Sequence, residues 1–99
     1  MFQNPRFLSK GIQETIPFPI QNLIWYMVDT MIVKNKDYLQ VFELSKVYID
    51  NKCKQKIVHS QEVPPYSSES IITLKVPLDT KIYLIDDETH STMLLATEY

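Results

Sequence analysis

A single glycine, Gly11, serves a chain of 99 residues, and that scarcity limits both the turns the chain can make and the ligands it can cradle. Glycine enters left-handed backbone freely, so turns elsewhere must fall to Asn or Asp, the next most tolerant residues. Asn35, Asn51 and Asp87 are the candidates. Phosphate-cradling loops need several glycines so that backbone N–H groups can approach the ligand, which excludes nucleotide binding of that kind.

Length allows one domain, 1–99, and a chain this short buries only about 60–65% of the surface its unfolded state exposes, leaving little room for a deep catalytic cleft. Ten Lys plus Arg face twelve Asp plus Glu, a formal charge of -2, so there is no general attraction to nucleic acid or anionic lipid. The longest apolar run, Leu23 to Val28, has six residues, far short of the roughly 20 that cross a bilayer. Residues 1–10 hold no apolar stretch like that of a secretory signal, and the lone Cys53 has no internal partner. Cytoplasmic residence is therefore expected.

Pro17-Phe18-Pro19 marks a helix start and Lys34-Asn35-Lys36 its end, because proline is well accommodated in a first helical turn. Ile20, Leu23, Ile24, Met27 and Met31 recur at spacings of three and four and form one face, with Trp25, Val28 and Ile32 widening the arc. Before the helix, Arg6 to Lys10 reads as a short strand ending at Gly11. After it the pattern predicts strands over Tyr38–Leu44, Lys46–Ile49, Lys56–Val63, Ser70–Val76, Lys81–Ile85 and Thr92–Ala96. A slip of phase near Glu43 to Lys46 predicts a β-bulge. Asp50-Asn51-Lys52 reads as a hairpin turn and Asp86-Asp87-Glu88-Thr89 as the last turn. The expected architecture is α+β, one amphipathic helix packed on a mostly antiparallel sheet of about five to six strands.

Chemistry-bearing residues are few. His59 and His90 with Asp86, Asp87 and Glu88 would make a small metal or catalytic site if the sheet brought His59 to the last turn. Cys53 lies between Lys52 and Lys54, whose charges favour thiolate, but no base accompanies it. His90 and Ser91 are consecutive strand residues that point to opposite faces, so they make no dyad. Lys46, Lys52, Lys54 and Lys56 with Tyr48 form a basic hairpin able to pair with phosphates and stack on a base, for weak and salt-dependent nucleic-acid binding. The same lysines also serve to guard a hairpin against aggregation. From Ile57 to Tyr99, seven acids face two lysines, a surface for solubility or for a basic partner. Pro64-Pro65-Tyr66 is a rigid loop suited to docking, without the spacer residue of a WW-domain ligand.

Three stretches carry a family resemblance: Lys10-Gly11-Ile12-Gln13-Glu14-Thr15-Ile16-Pro17, His59-Ser60-Gln61-Glu62-Val63-Pro64-Pro65-Tyr66, and Ser91-Thr92-Met93-Leu94-Leu95-Ala96-Thr97-Glu98-Tyr99. In order and wording, over nearly the whole chain, they resemble domain-of-unknown-function family 960, small proteins of staphylococci and other Firmicutes met on mobile genetic elements. The resemblance implies a bacterial cytoplasmic protein that is an accessory of such an element. It carries no catalytic motif and no site residue to this chain.

The reading that results is a non-enzymatic module working through a protein partner, with no cofactor. Trp25, Ile32, Pro64, Pro65 and Tyr66 are its binding residues, and a homodimer burying Trp25 and Ile32 is one version. The alternative is a weak nucleic-acid binder using Tyr48, Lys52, Lys54 and Lys56. A third is a metal or catalytic site at His59 and His90.

Overall fold

The computed structural model describes residues 1–99. Strand β1 (Arg6–Leu8) leads into a short helix α1 (Lys10–Thr15) and the main helix α2 (Phe18–Thr30). Five strands follow: β2 (Leu39–Ile49), β3 (Lys52–Gln61), β4 (Tyr66–Ile72), β5 (Thr80–Asp86) and β6 (Ser91–Leu95), then a single 3-10 turn over Ala96–Glu98. They form one six-stranded sheet in the order β1-β6-β5-β2-β3-β4, antiparallel throughout except for the parallel pair β1 and β6. The α+β architecture of helix on a mostly antiparallel sheet is thus the one the pattern predicts.

Helix α2 begins where the prolines place it, with Pro17 at the N-cap and Pro19 in the first turn. It ends earlier than Lys34-Asn35-Lys36: Met31 is already extended and buried, and the β-branched pair Ile32-Val33 that follows gives little support to further helix. The centre of its buried face is Ile20, Gln21, Ile24 and Val28, while Leu23 and Met27 are only partly buried on one flank. The residues between β1 and α2 are helical rather than a continued strand. Ser9 caps α1 by accepting the Ile12 N–H at 3.2 Å, and Ile12 and Ile16, four apart, are buried.

No bulge interrupts β2. Its pairing with β3 runs in one register from Val41 opposite Ser60 to Ile49 opposite Lys52. The apparent slip arises because β2 is apolar on both faces. Gln40, Phe42 and Leu44 point toward the helices and are buried, whereas Leu39 and Val41 point away. Left-handed backbone occurs at Asp50 and Asn51 in the β2–β3 turn and at Glu88 in the last turn, not at Asn35 or Asp87. Phe2 also has positive φ. Its ring is fully buried and its N–H donates to Asp86 at 2.7 Å, which offset the backbone strain.

Both helices lie on one face of the sheet, since Ile12, Ile24 and Val28 share a core with Phe42, Ile57 and Leu84. The ends of the chain meet at Gly11. The Glu98 carboxylate accepts from Ser9 Oγ at 2.6 Å, Leu95 N at 2.8 Å and Gly11 N at 3.0 Å, which holds it below the usual carboxylate range, the Ser9 bond contributing most. A Cβ on Gly11 would stand 2.6 Å from Glu98 Oε1. The lone glycine is therefore set by a carboxylate's approach and not by a left-handed turn.

Gly11→Ala should displace Glu98 and lose its bonds to Ser9, Gly11 and Leu95, a net loss of stability despite the gain in helix propensity. In a Glu98→Ala background the clash is gone, and Gly11→Ala should become neutral or stabilising. Urea denaturation of the four proteins of this cycle checks the reversal of sign, and equal effects in both backgrounds would refute the account.

Candidate functional site

The most ordered polar constellation is buried between the sheet and the residue 35–37 and 64 backbone. Carbonyl oxygens accept only, so the two Gln61 Nε2 protons go to Asn35 O at 3.0 Å and Pro64 O at 2.9 Å. Gln61 Oε1 then accepts from Asp37 N at 2.8 Å and Gln40 Nε2 at 2.6 Å. Gln40 Nε2 also donates to Asp37 O at 2.9 Å, leaving Gln40 Oε1 to accept from His59 Nε2 at 2.7 Å. This direction of donation makes His59 the Nε2–H tautomer.

His59 stacks on Phe42 with ring centroids 4.2 Å apart and meets Tyr66 edge-on at 5.3 Å. Its Nδ1 has no partner. Burial, assisted by the Lys36 charge, lowers its pKa to about 4. It is a neutral core histidine in a satisfied chain of amides.

The histidine cluster proposed from sequence does not assemble. His59 is on β3 and His90 precedes β6, with β2 and β5 between them, about 14 Å across the sheet at three strand spacings. No three His, Cys, Asp or Glu side chains converge in a group able to hold a metal. Asp86 is buried and accepts from Phe2 N, Asn4 Nδ2 and Glu88 N. Burial would raise its pKa, but these bonds more than offset that and hold it below the usual value. Asp87 accepts from the His90 and Thr89 N–H groups and from the Thr89 hydroxyl, which lower its pKa, the His90 bond most. Glu88 is exposed. These acids build the turn around His90, whose Nε2 lies 3.1 Å from Asp87.

The basic hairpin exists but divides its residues. Beyond Leu44 and Gln55 the two strands leave β5 and β4 and form a two-stranded arm. Tyr48 pairs with Cys53 on the helix side, and alternation places Lys52, Lys54 and Lys56 on the other side. Lys54 donates to Thr73 Oγ1 at 2.8 Å and Lys56 lies 3.3 Å from Glu69. The lysines flanking Cys53 in sequence thus project away from its thiol.

Trp25 and Ile32 lie on opposite flanks. The Arg6 guanidinium of β1 covers the Trp25 ring at 4.4 Å and also bonds Asp29. Ile32 is 93% exposed, past the end of α2 on the β4 side. There a groove of about 400 Å³ runs between α2 and β4, walled by Leu23, Met27, Met31 and Tyr66 over Ser68 and Ser70. The Pro64-Pro65-Tyr66 loop is pinned by Gln61, and Tyr66 opens β4 packed against the core. Of the three, Pro65 is exposed and Pro64 and Tyr66 are partly buried.

The feature missed from the sequence is the outer face of the sheet. Across it Leu94, Tyr83 and Val41 stand in one row, with Ile85 and Leu39 in the next, and no helix lies over them. Phe7, on the same face at β1, is 54% exposed. Alternation along β2 and β5 carries the signal, but both of its phases are apolar there, so the pattern does not separate the inner face from the outer.

A family model described as "Staphylococcal protein of unknown function (DUF960)" matches residues 5–98. A crystal structure of a protein of unknown function from Enterococcus faecalis has the same fold, with a TM-score of 0.70 and 26% identity over 97% of this chain and 91% of that one. No curated protein matches the chain.

The state of His59 has a consequence in solution. Its pKa is about 4 in the folded chain against 6.5 ordinarily, so the unfolded chain binds the proton better between those values. Stability should be whole above about pH 6.5 and fall toward pH 4, by up to about 3 kcal/mol. The carboxylates Asp86, Asp87 and Glu98 are depressed and act in a lower window, as pH falls through the ordinary carboxylate range. His59→Gln, which keeps a donor for Gln40, should flatten the slope between about pH 6.5 and 4.5. Urea midpoints across that range check this, and an unchanged slope would refute it.

Proposed function

The chain belongs to the family of staphylococcal proteins of unknown function, DUF960, and from that premise we propose a non-enzymatic protein-interaction module, an accessory of a mobile genetic element acting in the bacterial cytoplasm. The observation that carries the interaction reading is the bare outer face of the sheet. Antiparallel sheets with one solvated face normally alternate apolar inside and polar outside. Here Leu39, Val41, Tyr83, Ile85 and Leu94 take the outward positions at the centre of the sheet. Contiguous apolar surface of this kind marks contact with another protein.

The alternatives receive less support from the geometry. The histidines are far apart, the nucleophiles have no base, and the arm separates Tyr48 from Lys52, Lys54 and Lys56. No helix is long and apolar enough to cross a membrane.

The test is affinity capture from a bacterial lysate, with and without nuclease, using the natural chain and a Val41→Lys/Leu94→Lys variant of native circular dichroism. A protein retained after nuclease by the natural chain and lost by the variant is expected. Retention that disappears with nuclease would overturn the reading in favour of nucleic acid, and retention unaffected by the variant would move the surface elsewhere.

A further inference from the structure

We propose that the free edge of β4, with the groove that α2 walls beside it, takes an extended, acid-ended segment of a partner protein as a seventh strand. This site is separate from the outer face, and its fate does not depend on that surface.

The six-stranded sheet ends in β1 on one side and β4 on the other. The β1 edge is guarded: it has three residues, and its Leu8 carbonyl already accepts from Gln13 Nε2 at 3.0 Å. The β4 edge is not. Its seven residues, Tyr66–Ile72, pair in unbroken register with β3 alone, and no loop of the chain bonds their backbone. Alternate residues of an antiparallel strand turn both N–H and C=O away from the neighbour, so about three or four of the seven offer paired groups to a further strand. Lysine, proline and bulges are the usual guards of such an edge, and β4 contains none of them. What these groups recognise is an extended backbone.

The groove receives the side chains. A strand added to β4 turns every second side chain toward the helices. On that side the small Ser68 and Ser70 leave a low floor below Leu23, Met27 and Met31, and the space is about 400 Å³. Apolar side chains at successive inward positions, about 7 Å apart, fit along it. Backbone pairing also supplies what apolar burial alone does not, because the Tyr26 phenol and the two serine hydroxyls border the apolar walls.

Charge sets the chemistry of the segment's end. The chain from Ile32 to Asp37 crosses the Tyr66 end of the groove: Ile32 lines it, and Asn35 O and Asp37 N both bond Gln61, the ladder partner of Tyr66. On that crossing Lys34 and Lys36 have no acidic partner, and the Lys36 charge reaches His59, whose ring meets Tyr66. No acid lines the groove. The acids around it are turned elsewhere: Asp37 and Glu62 line the hollow of the opposite face, Glu69 is held by Lys56 and Asp29 by Arg6. In antiparallel addition the C-terminal end of the new strand arrives beside Tyr66, so acidic residues there meet two free lysines.

The probe is a library of phage-displayed random peptides of about ten residues, selected on the full chain. Enriched sequences should carry apolar residues at alternate positions and Asp or Glu toward the C-terminal end. The tightest, made synthetically with a fluorescent label, should lose at least about 10-fold in affinity against Tyr26→Glu and against Lys34→Glu/Lys36→Glu, each folded by circular dichroism. Tyr26 is 63% exposed, so its replacement leaves the core intact. Lys10→Glu, on α1 beside β6, should leave binding unchanged. N-methylation of every second peptide amide should abolish binding in one phase and spare it in the other, since only one phase faces β4. A library that yields no binder overturns the proposal, as does a binder indifferent to both groove variants. Equal effects of the two N-methyl phases overturn it too, and so does enrichment of apolar residues three and four apart, which would mark a helix in the groove.

Discussion

Side-chain amides do in this fold what glycine-rich turns do elsewhere. Connections that cannot fold tightly onto themselves leave backbone groups without partners, and a buried one costs about 1–3 kcal/mol. Gln61 takes the carbonyls of Asn35 and Pro64, Gln55 takes Leu78 at both its N–H and its C=O, and Gln21 takes Ile16. Each of these glutamines is buried. Because every amide has one accepting and one donating end, fixing the loops at one end fixes direction all the way to His59. The chain of donors thereby fixes the Nε2–H tautomer, burial keeps the imidazole neutral, and the unpartnered Nδ1 marks where that chain ends.

A second constraint joins the two ends of the described chain. Glu98 lies where the first turn of α1 leaves N–H groups unpaired, so its charge also meets the positive end of that short helix. Ser9 serves twice, accepting from Ile12 and donating to Glu98. The parallel pairing of β1 with β6 places Ser9 beside this carboxylate, and the parallel edge and the cap support each other.

Much of this architecture was legible. Prolines located the start of α2, β-branched runs located β2, β3, β5 and β6, with β2 one strand where two were expected, and Asn51 was a left-handed residue as its type suggested. The strand expected over Ser70–Val76 lies earlier, as β4 at Tyr66–Ile72. Helix α1 was not, because six residues show less than two turns of periodicity. The histidine cluster failed for a topological reason: β3 and β6 come after different partners, and only the sheet order separates them. The division of Tyr48 from Lys52, Lys54 and Lys56 was readable in principle. A two-residue turn at Asp50-Asn51 pairs Ile49 with Lys52 and so decides which side chains share a face, whereas counting Lys52 into the turn hides this.

The two faces of the sheet differ in what association would disturb. On the inner face, amides and an imidazole are already committed to one arrangement, and the groove beside α2 carries Tyr26 and two serines whose hydroxyls would need new partners once covered. On the outer face, the central side chains are mostly hydrocarbon, Tyr83 meets Tyr99 edge-on, and Lys81 and Lys56 are paired with Glu43 and Glu69, with Asp37 and Glu62 at the margin beside Leu39 and Val41. Covering apolar surface gains about 25 cal/mol per Å², while covering an unpaired polar group reverses that gain. Desolvation therefore favours the outer face over the groove, even though the groove, at about 400 Å³ against about 270 Å³ for the hollow beside Leu39 and Val41, is the roomier feature.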